Sequence, residues 1–148
     1  EALTPTINMV RRLVFLLAGQ SNMAGRGHLS DLPDPLSDAN DGGDILSFHQ
    51  TLDELFPARH PLHADKPEKA GVGPALSFAR ELIRSYSPSE LGEGVILVLV
   101  PCAWGGSPLD RWEEGGDLAD EAVRRTKAAL AALSLTKGEG GGGGGSRL

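Results

Sequence analysis

The sequence predicts an α/β fold built on a parallel sheet, and three observations carry that prediction. Residues 13–18 and 95–100 are unbroken runs of Leu, Val, Ile, Phe and Ala, the pattern of strands covered on both faces and too short to span a bilayer. Two longer stretches carry apolar residues at helical spacing, one between these runs and one after them. Strand, helix, strand, helix in that order is the signature of right-handed βαβ units.

The first strand, 13–18, ends in Gly19-Gln20-Ser21. A strand that ends this way presents one hydroxyl at the carboxyl edge of a sheet, where open α/β folds place their chemistry. Ser21 is therefore the candidate nucleophile. It needs a base to take its proton and N–H donors aimed at the developing oxyanion. Gly19 lets the backbone bend, and a helix starting after it directs the Ser21 amide into the same space as its hydroxyl. The alternative is a polar turn whose serine and asparagine serve only local hydrogen bonds.

A third, weaker strand is expected at 45–48. Ala75, Phe78, Ala79, Leu82, Ile83 and Tyr86 then mark an amphipathic crossover helix, with Pro74 at its first position and Pro88 beyond its end. After the strand at 95–100, Leu118, Ala122, Val123, Thr126, Ala129, Leu130 and Leu133 form one face of a last helix capped by Asp117. Asp120 with Arg124 and Glu121 with Arg125 are read as exposed supporting pairs on it. Residues 28–44 and 50–71, rich in Pro, Asp and His, read as long ordered loops over the active edge of the sheet. One domain over 1–137 is expected, followed by a disordered Gly-rich tail, 138–148.

The 148 residues carry 14 basic and 20 acidic side chains, a net charge of −6 with no basic cluster, which argues against nucleic acid and anionic membrane surfaces as partners. The single cysteine, Cys102, forbids an internal disulfide and reads as a small buried hydrophobe. No leader segment is visible, and because the chain begins with Glu the compartment is left open. No histidine spacing suits a metal, no cofactor is implied, and neither Gly71-Val-Gly-Pro nor Gly25-Arg-Gly completes a nucleotide-binding glycine motif.

Three blocks, FLLAGQSNMAGRG at 15–27, GVGPALSFAREL at 71–82 and LVLVPCAWGGSPLDRW at 97–112, together with PLHAD at 61–65, resemble the sialate O-acetylesterase-like and acetylxylan esterase family of carbohydrate esterases, plant-type members above all. That resemblance implies the three-layer α/β/α, flavodoxin-like sheet of SGNH (GDSL-like) hydrolases, here its amino-terminal part. It implies a serine esterase that removes O-acetyl groups from a carbohydrate, or acts on another small acetyl ester. It makes Ser21 the nucleophile and places the oxyanion donors at Ser21 and Gly106, with Gly105 close behind. Gln20 and Asn22 would fix the turn by side-chain hydrogen bonds, and His63 and Trp104 would contact substrate, His63 from near the pocket mouth. Trp112 reads as packing.

The family's Gln-Gly-Glu and Asp-x-x-His segments do not occur, and His28, His49, His60 and His63 all lie in the first half. The chain thus looks carboxyl-terminally truncated, with a nucleophile but without its usual base. The alternative function is a catalytically inactive, carbohydrate-binding or vestigial domain. Truncation would also leave 95–100 as a bare sheet edge open to self-association.

Overall fold

The computed structural model describes residues 10–32, 44–85 and 94–136. Strand β1 (Arg11–Leu17) leads through a short helix α1 (Ser21–Ala24) to β2 (Ile45–Phe48) and β3 (Leu55–Pro57); helix α2 (Ala75–Ser85), β4 (Val95–Pro101) and helix α3 (Asp117–Leu135) follow. Two 3₁₀ turns, Leu29–Asp31 and Leu109–Trp112, lie in the connections.

The strands form one sheet in the order β1-β4-β2-β3. β4 runs parallel to β1 from Arg11 opposite Val95 to Leu17 opposite Pro101, and parallel to β2 over Ile45, Leu46 and Ser47. The period of two in β4 sorts its side chains onto two faces. Val95, Leu97 and Leu99 meet Ala75, Leu76 and Ala79 of α2. Ile96, Val98 and Val100 meet Ala122, Ala129 and Leu133 of α3. The result is the expected helix–sheet–helix layering around a strand whose residues Leu97, Val98, Leu99 and Val100 are wholly buried. Phe78 of α2 adds an edge-to-face contact with Phe15 of β1 at 5.2 Å.

Four expectations are corrected. The segment 95–100 is not a bare edge: β2 pairs with the side expected to be open, and the outer strands of the described sheet are β1 and β3. The loop 50–71 contains a strand, β3, which turns back antiparallel to β2 and so departs from an all-parallel sheet. Asp117 does not cap α3. Gly116 is its N-cap, and the Asp117 carboxylate instead accepts from Arg111 Nε and Nη2 at 2.9 and 2.6 Å.

The fourth correction concerns the paired charges of α3. Arg124 binds Glu121 and Asp53, while Arg125 is 1% exposed and faces the core. Tyr86, Pro88 and the tail 138–148 lie outside the described residues. Cys102 is free and buried, as read, and burial pushes its thiol pKa up.

Candidate functional site

The carboxyl ends of β1 and β4 lie side by side, and their outgoing loops are tied together. Cys102 N donates to Leu17 O, and Trp104 N donates to Gly19 O, both at 2.9 Å. Gly19 sits at φ +133°, a conformation that side chains rarely adopt, and the chain turns there into α1. Ser21 is the first residue of that helix and half-buried, so the residue stands just beyond the carboxyl end of β1.

Backbone bonds hold this turn. Met23 N and Ala24 N donate to Gln20 O, and Gly25 N donates to Ser21 O. Gln20 caps α1 through its carbonyl without a side-chain bond, and both Gln20 and Asn22 are exposed.

The loop after β4 makes a second tight turn. Ser107 N donates to Trp104 O at 3.2 Å, which leaves Gly105 and Gly106 as the central pair. Gly106 has φ +75°, as the third position of a type II turn requires, and is exposed. Gly105 is buried, and its N–H donates to Asp65 Oδ2 at 2.8 Å. Trp104 is 38% exposed beside them. Trp112 packs against the α3-side core and donates from Nε1 to the Ser107 hydroxyl at 2.9 Å.

The PLHAD segment passes beneath this surface. Asp65, its side chain fully buried, accepts from Arg26 Nη2 at 2.7 Å as well as from Gly105. Burial pushes its carboxyl pKa up, but the Arg26 guanidinium and the Gly105 and Lys66 amides outweigh that and hold it below the usual carboxylate value. His63 is 2% exposed rather than at a pocket mouth. Its ring is hydrogen-bonded to the Leu17 backbone, and Nε2 has no partner. Desolvation lowers its pKa to about 4, opposed by the Leu17 bond and by Asp65. His49 Nδ1 accepts within its own turn from Thr51 and Leu52. Among the described residues no histidine is hydrogen-bonded to Ser21, and no cluster of three His, Cys, Asp or Glu side chains could hold a metal.

Two connecting residues were missed at the sequence level. Gln50 Oε1 accepts from Ala64 N at 2.6 Å and its Nε2 donates to Ala103 O at 3.3 Å, joining the PLHAD segment to the loop after β4. Arg26, at the end of the first block, reaches Asp65 across 39 positions of sequence. A cleft of about 440 Å³ opens beside it, lined by Arg26, Gly27, His28, Glu68 and Lys69.

Residues 11–139 match the family described as carbohydrate esterase, sialic acid-specific acetylesterase. A probable carbohydrate esterase of Arabidopsis thaliana, At4g34215, is 32% identical over 127 residues, covering 77% of this chain and 46% of that protein. The X-ray structure of the Arabidopsis thaliana protein AT4G34215 superposes with a TM-score of 0.64 at 30% identity, over 82% of this chain and 52% of that one. The crystal structure of NanS shares the fold, with a TM-score of 0.60 at 24% identity over 84% of this chain and 50% of that one. The chain spans about half the length of the relatives it matches. With nearly its whole described length inside the matched region, its Gly-Gln-Ser turn and Gly-Gly loop included, the chain belongs to the sialic acid-specific acetylesterase family of carbohydrate esterases.

Proposed function

We propose that this chain carries the nucleophile and oxyanion loop of a serine esterase that removes O-acetyl groups from a carbohydrate through an acyl-enzyme on Ser21. One observation carries the reading: the Trp104 N to Gly19 O bond joins the Ser21 turn to the Gly-Gly turn at the same end of the sheet. In this mechanism the Ser21 hydroxyl attacks the acetyl carbonyl and yields its proton to the histidine that the family's Asp-x-x-His segment supplies. The tetrahedral oxyanion is met by the Ser21 and Gly106 amides, and its collapse breaks the ester C–O bond and releases the sugar hydroxyl, which takes that proton. Gly106 is the better donor of the glycine pair, because the Gly105 N–H is already given to Asp65. Trp104 would line the acyl or sugar subsite, a role that its partial exposure beside the turn supports.

His63, the histidine of the PLHAD block, is buried and bonded to the Leu17 backbone, and a pKa near 4 makes it a poor proton acceptor at neutral pH. That observation favours the second reading, an inactive or carbohydrate-binding domain, for the chain on its own. Loss of a triad member costs on the order of 10⁴–10⁶ in turnover. The chain should therefore hydrolyse a simple acetyl ester far more slowly than a complete relative, while still forming an acyl-enzyme with an activated ester such as p-nitrophenyl acetate. Peptide mass spectrometry after incubation should place one acetyl group on Ser21, absent in Ser21→Ala. No acetylation of Ser21 leaves the inactive-domain reading in place.

A further inference from the structure

We propose that Asp65 is a positioning residue for the oxyanion loop, locking the Gly105–Gly106 peptide so that the Gly106 N–H faces the Ser21 side. The inference rests on the reading of Gly106 as an oxyanion donor. In the turn from Trp104 to Ser107 the direction of the Gly106 N–H is set by its central peptide plane, which is inverted between type I and type II turns. With glycine at both central positions the backbone itself resists that flip weakly. Something outside the turn has to choose.

Asp65 is placed to do so. Its Oδ2 accepts the Gly105 N–H at 2.8 Å, fixing the residue immediately before the plane in question. The carboxylate is in turn immobilised by Arg26, whose Nη2 and Nη1 reach Oδ2 and Oδ1 at 2.7 and 3.4 Å while Nη1 also donates to Gly25 O at 2.8 Å. Arg26 lies two positions after α1, the helix that begins with Ser21. One carboxylate therefore references the donor loop to the nucleophile's own segment.

The glycine at 105 reflects this same contact. A Cβ there would run into Arg26 Nη2 and come within 3.0 Å of Asp65 Oδ2, so a side chain at 105 enters only if the end of Arg26 gives way. Charge-assisted bonds of this length on a fully buried carboxylate are stiff, which suits them to holding a donor that must not reorganise during reaction.

The test uses the whole 148-residue chain, ¹⁵N-labelled, as wild type, Asp65→Asn and Asp65→Ala. In wild type the Gly106 amide should be as rigid as strand backbone, with an order parameter of about 0.85, and should fall below about 0.6 in Asp65→Ala while the amides of β4 stay unchanged. Asp65→Asn keeps an acceptor for Gly105 and should lie between. In parallel, the first-order rate of Ser21 acetylation at saturating p-nitrophenyl acetate should fall about 10- to 100-fold in Asp65→Ala and less in Asp65→Asn, with half-saturation unchanged, a fraction of what removing an oxyanion donor costs. An unchanged Gly106 amide in a folded Asp65→Ala, or in Asp65→Asn if the alanine variant does not fold, overturns the proposal. If wild type itself never acetylates, the esterase reading fails, and the Gly106 amide still decides the role of Asp65.

Discussion

Arg125 and Asp65 are both buried charges near the carboxyl ends of the strands, yet they are satisfied in opposite ways. Arg125 reaches from α3 and spends its guanidinium on backbone carbonyls. Nε donates to Pro101 O, Nη1 to Gln50 O, and Nη2 to Phe48 O and His49 O, at 2.8 to 3.2 Å. It thereby closes the ends of β2 and β4, with Asp53 as its counter-ion and the Phe48 ring 5.2 Å below. Asp65 collects N–H donors from the Gly105 turn, from the neighbouring Lys66 amide and from one arginine. The arginine ties secondary structure together, whereas the carboxylate orients a turn. Loss of the first should be felt as stability and loss of the second as geometry at Ser21.

The sharpest way to break this comparison is Arg125→Met. Methionine fills the volume but takes the arginine's donors away from four carbonyls, while Asp53 keeps Arg124 as its partner, and leaving buried carbonyls unpaired costs about 3–5 kcal/mol in sum. Urea unfolding should show that loss, with Ser21 acetylation falling only in proportion to the folded fraction. A cost under about 1 kcal/mol would mean that the carbonyls find water and that Arg125 is dispensable.

A third buried polar group, His63, has one nitrogen unpartnered and gives the next largest effect, through pH. Its folded pKa near 4 lies below the ordinary 6.5 because burial penalises the cation. Below pH 6.5 the unfolded chain takes a proton that the folded chain refuses until about pH 4. Stability should therefore fall as pH drops through that window, by on the order of 3 kcal/mol at its lower end. Asp65, Asp53 and Glu121, whose pKa values are lowered, act in the same direction, but chiefly below their ordinary values of 3.8 to 4.5. Denaturant midpoints between pH 7 and pH 4.5 isolate the histidine, and His63→Gln should flatten the slope there. An equally steep slope in that variant would move the cause elsewhere.

Gly105→Ala sharpens the Asp65 side of the comparison. The added methyl meets Arg26 and Asp65, so the ion pair must shift, at about 1–3 kcal/mol for overpacking. Unlike Arg125→Met, it should reduce the rate of Ser21 acetylation by more than its effect on stability explains. Equal losses in both would mean that the turn is merely part of the core.

These two charges also mark what could be read from sequence. The β4 run of Val, Ile and Leu announced a strand covered on both faces, and Gly-Gln-Ser announced the turn, because those signals are local. The phase of α3 was equally local: Leu118, Ala122, Arg125, Ala129 and Leu133 follow one helical stripe, and all five are buried. Arg125 was misplaced because its charge was weighed above its phase. The Asp65 contacts with Arg26 and Gly105 span 39 and 40 positions and leave no periodic trace. β3 escaped because Leu-Phe-Pro is three residues long and proline argues against a strand, which holds only away from an edge, where β3 lies.

The smallest expected effect supplies the control, because the chain places a second arginine beside the buried one. Arg124 binds Glu121 through Nε and Nη2 and Asp53 through Nη1, at 2.7 to 2.8 Å, distances as short as those of its neighbour. Its side chain is 50% exposed, against 1% for Arg125. Water and salt screen the outer pairs, and ordering long side chains at a surface offsets most of the remaining attraction, so Arg124→Ala should cost only about 0.5 kcal/mol and less in 0.5 M salt. Removing Arg124 also leaves Asp53 with Arg125 as its partner, so no charge is stranded. Urea unfolding of Arg124→Ala beside Arg125→Met compares two arginines that share a helix and a counter-ion. If the exposed one costs as much as the buried one, Asp53 rather than the strand-end carbonyls is what Arg125 is there to hold.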